Sequence, residues 1–291
     1  MNGRYGIPGW KWVFIIDGII SMPVALVGFY CLPDFPENSR APWLTKKDRQ
    51  FALARAKAHK KVKPTPITPK RFVKVFLNPK LWVFLAPYAT GCLGNIGFNY
   101  FTLYLKSLGK FTIQQVNLIP TASYGLTFLT LLISSSLSDY FRNRIFFITT
   151  HQIIGLTATI LLAIWKLPEA AIIFAYILGG AASCQPLLIS WFAESFQDEP
   201  DLKGINIGTG NTMIYCLTAF LPLGLFPSKE APHFKYGYKI SVAFWVVSAS
   251  ANFLLYFYIR NHKKTQAERS AAEKQEEVEF TDEKIQPVQS L

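Results

Sequence analysis

The chain has 291 residues, 51% of them hydrophobic, and a formal net charge of +12. The apolar residues gather in blocks of about 20 with few charges, the length that crosses a bilayer core, and this excludes an ordinary water-soluble domain. The basic charge lies in the loops between blocks, not on one folded face, which argues against a nucleic-acid binder.

Seven spanning blocks are predicted, at 12–32, 81–105, 116–137, 145–165, 170–191, 205–226 and 240–258. The first contains an acid, Asp17. Charge inside a membrane is costly and by default suggests function, here proton coupling. The structural alternative is a bond to Lys11 or to a polar neighbour. The block then leaves through a polar gate, PDFPENSRAPWLTKKDR, residues 33–49.

A helix is predicted over 45–61, capped by Thr45 with Asp48 at the capping-box position and Phe51, Leu53 and Ala54 on one face. The Pro-rich VKPTPITPK breaks it into an extended linker. The basic residues here read as solvated, topology-setting charge, with contact to anionic headgroups as a second reading.

The second block holds Asn95 and Asn99, four apart and so expected on one helix face, between Tyr88 and Tyr104. Gly91, Gly94 and Gly97 surround them and permit close approach or local unwinding. Substrate lining and interhelical hydrogen bonding are both open readings of this pair. The third block carries Ser123, Tyr124 and Thr127 and ends in Asp139, Arg142 and Arg144, which suit a gating or scaffold contact to a neighbouring helix. His151, near the cytosolic start of the fourth block, is read either as a titrating group or as an interfacial residue, the interfacial reading preferred. In the fifth, Gln185 precedes Pro186, a kink that would free a carbonyl. The sixth combines a packing face at Gly204 and Gly208 with polar Asn211, Thr212 and Tyr215. Trp10, Trp12, Trp43, Trp82, Trp165 and Trp191 fall near block ends, where an aromatic belt is expected.

Cys31, Cys92, Cys184 and Cys216 all lie in apolar blocks, at no metal-like spacing, so no metal or cofactor is expected. Neither paired acids nor a Ser with a His suggests an intramembrane enzyme, and no phosphate-cradling Gly-rich loop suggests ATP as a driver. Alternate loops, namely 34–80, the turn at Arg142 and Arg144, Lys203 and the tail, hold 22 of the 30 Lys and Arg residues, which predicts that these sides are cytosolic. No Lys or Arg is predicted at the midplane of any block. Residues 261–291 mix seven acids with five bases and are expected to be a disordered cytosolic tail.

Four stretches carry a family resemblance: GWKWVFIIDGI, LPDFPENSRAPWLTKKDR, LKSLGKFTIQQVNLIPT (105–121) and LSDYFRNR (137–144). Together they resemble the major facilitator superfamily and, within it, the fungal allantoate permease or anion:cation symporter family. The family's typical form has Glu where this chain has Asp17. LSDYFRNR resembles a degenerate G-x-x-x-D-R-x-G-R-R motif, with Tyr140 where Arg would follow the Asp. The resemblance covers residue 9 to about 260.

It implies an all-α membrane protein: helix six (1–33 with its extracellular lead), a central cytosolic loop (34–80), and a C-terminal six-helix bundle (81–260). Helices one to five would then lie outside this chain. The function implied is secondary, proton-coupled uptake of a small organic anion such as a vitamin carboxylate, ureide or sulfonate, at the plasma membrane. Asn95, Asn99, Tyr124, Gln185, Asn211 and Tyr215 are the substrate-lining candidates. The expected partners are the lipid bilayer, the substrate anion and a separate N-terminal half that would supply the counter-charge. The alternative is a non-transporting remnant or an interaction partner of a full-length transporter.

Overall fold

A computed structural model describes residues 3–34, 38–39, 41–58, 68–195 and 200–285. Among them every regular element is a helix, and the chain divides into two compact units, residues 1–63 and 64–291.

The first unit holds α1 (Gly9–Cys31) and α2 (Lys46–Ala58). No residue of α1 is buried, although Val13, Phe14, Ile19, Met22, Leu26 and Phe29 are large and apolar. In water such exposure would invite aggregation; in lipid it is the solvated state. The Trp43 indole donates to the Tyr30 carbonyl at 3.3 Å and ties the polar gate to the end of α1. The expected capping box is present. Asp48 N–H donates to Thr45 Oγ1 at 3.3 Å, and the Asp48 carboxylate accepts from the Thr45 N–H at 3.2 Å and from its hydroxyl at 2.5 Å. These bonds hold the Asp48 carboxyl below its ordinary pKa, because they favour the charged form. Phe51 is exposed, so the apolar face of α2 is unburied. The linker residues 62–67 lie outside the described residues.

The second unit begins with α3 (Pro69–Phe76), a short helix with Lys70 and Lys74 on one side and Phe72 and Phe76 stacked on another. It continues through α4 (Pro79–Asn95), a 3-10 turn (Ile96–Tyr100), α5 (Phe101–Ser107), α6 (Ile113–Phe141) and α7 (Arg144–Ile164). Next come α8 (Glu169–Gly179), a second 3-10 turn (Gly180–Ala182), α9 (Gln185–Ser195), α10 (Pro200–Leu225) and α11 (Gly237–Ile285).

Six spans are long and apolar enough to cross a membrane among the described residues: α1, α4 through α5, α6, α7, α8 through α9, and the first half of α11. The sequence predicts seven. The remaining block forms α10, 26 residues long. It falls outside the set because Asn206, Asn211, Thr209 and Thr212 dilute its apolar content. The chain is thus an all-helical, multi-pass integral membrane protein.

α11 packs chiefly on α4 and α7. Its Trp245 is fully buried, and glycines make room for the ring: a Cβ on Gly155 of α7 would come within 2.5 Å of it and one on Gly94 of α4 within 2.9 Å. Neutral polar bonds cross the same interface. Gln152 donates to Ser248 at 2.9 Å, and Ser248 donates to the Pro87 carbonyl at 2.9 Å. In a membrane interior such bonds, with close small-residue packing, do the work that water exclusion does elsewhere.

One apolar cluster gathers Phe84, Ile148, Phe192 and Leu255; a second gathers Phe101, Leu162, Tyr176, Phe226, Phe234 and Tyr238.

Three sequence expectations change here. Gly204 and Gly208 are not a packing face among the described residues, since a Cβ on either meets nothing within 4 Å; the tight glycine of α10 is Gly210, against Leu85 and Tyr88. Trp191 belongs to the core instead of an interfacial belt. Finally, α11 runs on to Ile285, through most of the segment expected as a disordered tail. That segment is rich in Ala, Glu, Lys and Gln, all strong helix formers.

Candidate functional site

The structure gives the expected substrate-lining residues three different environments. Asn95 and Asn99 do not share a continuous helix face. α4 ends at Asn95 and the chain turns through 3-10 geometry before α5. The glycines allow that unwinding: Gly94 and Gly97 sit against the Trp245 and Tyr238 rings. Asn95 is half-buried and its Oδ1 is enclosed without a hydrogen-bond partner among the described residues, whereas Asn99 is exposed.

The second environment lies between α4 and α10. Tyr88 is buried, and its hydroxyl donates to Asn211 Oδ1 at 2.8 Å. Asn211 and Tyr215 are four apart on α10 and both exposed, so they share one open face. Gly210 lets Tyr88 approach, at 3.2 Å from where its Cβ would stand.

Third, the expected kink at Gln185–Pro186 is a full break. α8 stops at Gly179, Gly180–Ala182 form the 3-10 turn, and α9 restarts at Gln185. The Ser183 hydroxyl donates to Gln185 Oε1 at 3.0 Å. The break also sits tightly on α6. The Thr127 hydroxyl donates to the Gly180 carbonyl at 2.7 Å, and a Cβ on Gly180 would strike the Ser123 carbonyl. Ser123 and Thr127 therefore serve helix contact, while Tyr124 between them is exposed.

Asp17 is exposed on α1 and accepts a hydrogen bond from Ser21 at 3.4 Å. The expected gating residues separate. Arg142 takes a left-handed backbone at the end of α6 and is exposed. Arg144 is mostly buried and gathers the acids. It pairs with Asp139 of α6 and, at 2.5 Å, with Glu194 of α9, and its Nη1 donates to Ser138 at 3.4 Å. Its Nε also donates to Glu194 at 3.2 Å, so the guanidinium grips that carboxylate through two nitrogens.

Glu194 was missed in the sequence. Its only signal is an acid at the end of an apolar block, in the stretch WFAES. His151 corrects the interfacial reading: it is buried, with both ring nitrogens hydrogen-bonded.

A shallow hollow of about 360 Å³ along Cys216, Leu217, Phe220, Leu221, Gly224 and Leu225 is lined by α10 alone and carries none of these polar groups.

Comparison with known proteins adds the family. Residues 4–222 match the Major Facilitator Superfamily. The chain is similar to a vitamin H transporter of Saccharomyces cerevisiae, 31% identical over 277 residues, covering 91% of this chain and 46% of the relative. It is similar to an MFS transporter, PfmaC, of Pestalotiopsis fici, 29% identical over 279 residues, covering 94% and 52%. A pantothenate transporter of Schizosaccharomyces pombe is 28% identical over 273 residues, covering 90% and 52%. The chain thus spans about half the length of these curated relatives. On a match that takes in most of its length, this all-helical membrane chain belongs to the Major Facilitator Superfamily.

Proposed function

We propose that the chain is the helix-six-to-twelve part of a secondary active transporter that takes up a small organic anion, such as a vitamin carboxylate, ureide or sulfonate, with a proton. Within the superfamily the reading is an allantoate permease relative at the plasma membrane, with the C-terminus in the cytosol. The observation that carries it is the Tyr88–Asn211 bond between α4 and α10. It holds a polar face, with Tyr215, beside two membrane helices broken at mid-length. Discontinuous helices in a membrane expose backbone groups only where they line a cavity or are buried in protein, and transporters use them at substrate sites.

The printed names of the relatives, for vitamin H and pantothenate, support a carboxylate substrate. Helices one to five would complete the cavity and contribute the cationic counter-charge. The Arg144, Asp139 and Glu194 cluster would latch α6, α7 and α9 in one conformational state.

The test is uptake of labelled pantothenate and vitamin H by cells expressing the native transcript's product, at acidic and neutral pH. Tyr88→Phe keeps the ring and removes the donor; about tenfold less uptake at unchanged surface level is expected. Unchanged uptake by that variant removes the α4–α10 face from the site. The length shared with the relatives also admits a second reading, a non-transporting partner of a full-length transporter. A product of the present size with no uptake of its own, which alters uptake by a co-expressed full-length relative, would favour it.

A further inference from the structure

His151 is absorbed by none of the roles above. It lies two turns into α7 and is buried, yet it is a titratable group inside a membrane span. Its Nδ1 is 2.5 Å from the Ala181 carbonyl, in the break between α8 and α9. A carbonyl only accepts, so Nδ1 carries a proton. Its Nε2 is 2.9 Å from Ser134 Oγ on α6. A neutral ring accepts the Ser134 hydroxyl proton there. A cationic ring donates instead, and Ser134 must then send its own proton elsewhere. An acceptor is in place: Ser134 Oγ lies 3.4 Å from the Leu131 carbonyl. The site therefore satisfies both charge states, and only one hydroxyl has to rotate between them.

α6 buries few residues: Val116, Pro120, Ser134 and Ser138. Ser134 and Ser138 are one turn apart on one face, as Arg144 and His151 are two turns apart on α7. Ser138 meets Arg144 at 3.4 Å. The two buried serines of α6 thus stand one at the charged cluster and one at the imidazole.

Several ionisable groups on elements packed around α7 are engaged elsewhere. Asp139 and Glu194 pair with Arg144, and Lys110 pairs with Glu169 at the opposite end. Tyr176 and Tyr238 bond each other. Tyr124 and Tyr140 of α6 are exposed, and Lys239, Tyr256 and Arg260 also lie on α11. The Cys184 thiol is buried just ahead of α9.

We propose that His151 is a proton-binding site whose charge state is communicated to α6 through Ser134 and to the α8–α9 break through the Ala181 carbonyl. Changing the ring's charge changes both hydrogen bonds, one at each moving part. That this proton is the one coupled to transport rests on the function proposed above; proton binding itself does not.

The test uses the chain in lipid nanodiscs with ¹⁵N-labelled histidine. His59→Gln, His233→Gln and His262→Gln together leave His151 as the sole histidine; the four-histidine chain provides the same titration if the triple variant folds poorly. The expected result is an Nε2 shift that titrates within the pH range over which the nanodiscs stay intact. In step with it, hydrogen exchange of the peptide spanning residues 176–190, corrected for its intrinsic pH dependence, should change at least about threefold. His151→Asn should lose that change. A ring that does not titrate in this range overturns the proposal. So does a ring that titrates while exchange at the break stays constant, or a break whose pH response survives His151→Asn. None of these outcomes depends on a substrate, so the failure of this site is distinguishable from the failure of the transport reading.

Discussion

Two spans of this protein have the same length and opposite surroundings. α4 through α5 and α6 are each 29 residues long and apolar enough to cross a membrane, but 61% of an apolar 18-residue stretch of the first is buried against 6% of such a stretch of the second. The first is broken at a 3-10 turn and grips α11 through its glycines; the second runs unbroken with Leu118, Phe128, Leu132 and Ile133 exposed. Hydropathy places both in the membrane and cannot separate them. Without a hydrophobic drive between helices in lipid, the inward helix is the one with small residues that permit close approach and with polar groups that find partners. By that rule α6 should meet the bundle at Ser and Thr positions, and it does at Ser123, Thr127, Ser134 and Ser138, along with the buried Val116 and Pro120.

The comparison can be broken most sharply on the outer face of α6. Leu132→Lys should cost about 3 kcal/mol of membrane insertion, read as the fraction of a glycosylation-tagged chain that spans the bilayer. Full insertion would mean that this face meets water. A matched glycine pair tests the packing rule next. Gly94→Leu forces a side chain into the Trp245 ring and should destabilise by about 2 kcal/mol in detergent unfolding. Gly125→Leu on α6, where a Cβ meets nothing within 4 Å, should stay within about 0.5 kcal/mol. Equal losses from the two would end the distinction.

The link that α6 makes at its charged end comes third. Arg144→Gln should cost about 1–2 kcal/mol, below the full value of a buried pair because Asp139 and Glu194 are each about half exposed. A double-mutant cycle with Glu194→Gln should show coupling of about 1 kcal/mol, and additive losses would mean that the pair is idle.

The smallest effect lies outside both spans, in α2, where water returns and side-chain caps matter again. The Asp48 pKa is lower in the folded helix than its ordinary value of 3.8. Its contribution is therefore present above that value and is lost as pH falls through the lowered one. Helicity of α2, followed by circular dichroism on a peptide of residues 42–58, should decline at the acid end of the titration. Thr45→Ala should flatten that pH response.

Much of this was legible from pattern alone. The spanning blocks, the Thr45 capping box and the unwinding of the glycine-rich stretch after Tyr88 follow from apolar block length and local chemistry. So does the break near Gln185, although it begins earlier, at Gly180, because two glycines and tight packing on Ser123 leave the helix there before Pro186 is reached. Pairings across long separations were not legible. Nothing local to Tyr88 selects Asn211, 123 residues on, and nothing in WFAES marks Glu194 as the grip on Arg144. Local sequence left His151 between a titrating and an interfacial reading, since its burial depends on two neighbouring helices closing over it.

The sequence by itself determined that this chain is built of membrane helices, which stretches form them, and which polar residues they carry into the bilayer. Each of these depends on residues within a few turns of one another: runs of apolar side chains, prolines, glycines and caps. The tertiary structure alone decided which polar residues are paired, exposed or sealed in, because a hydrogen bond between helices depends on rotation and close approach that no single helix contains.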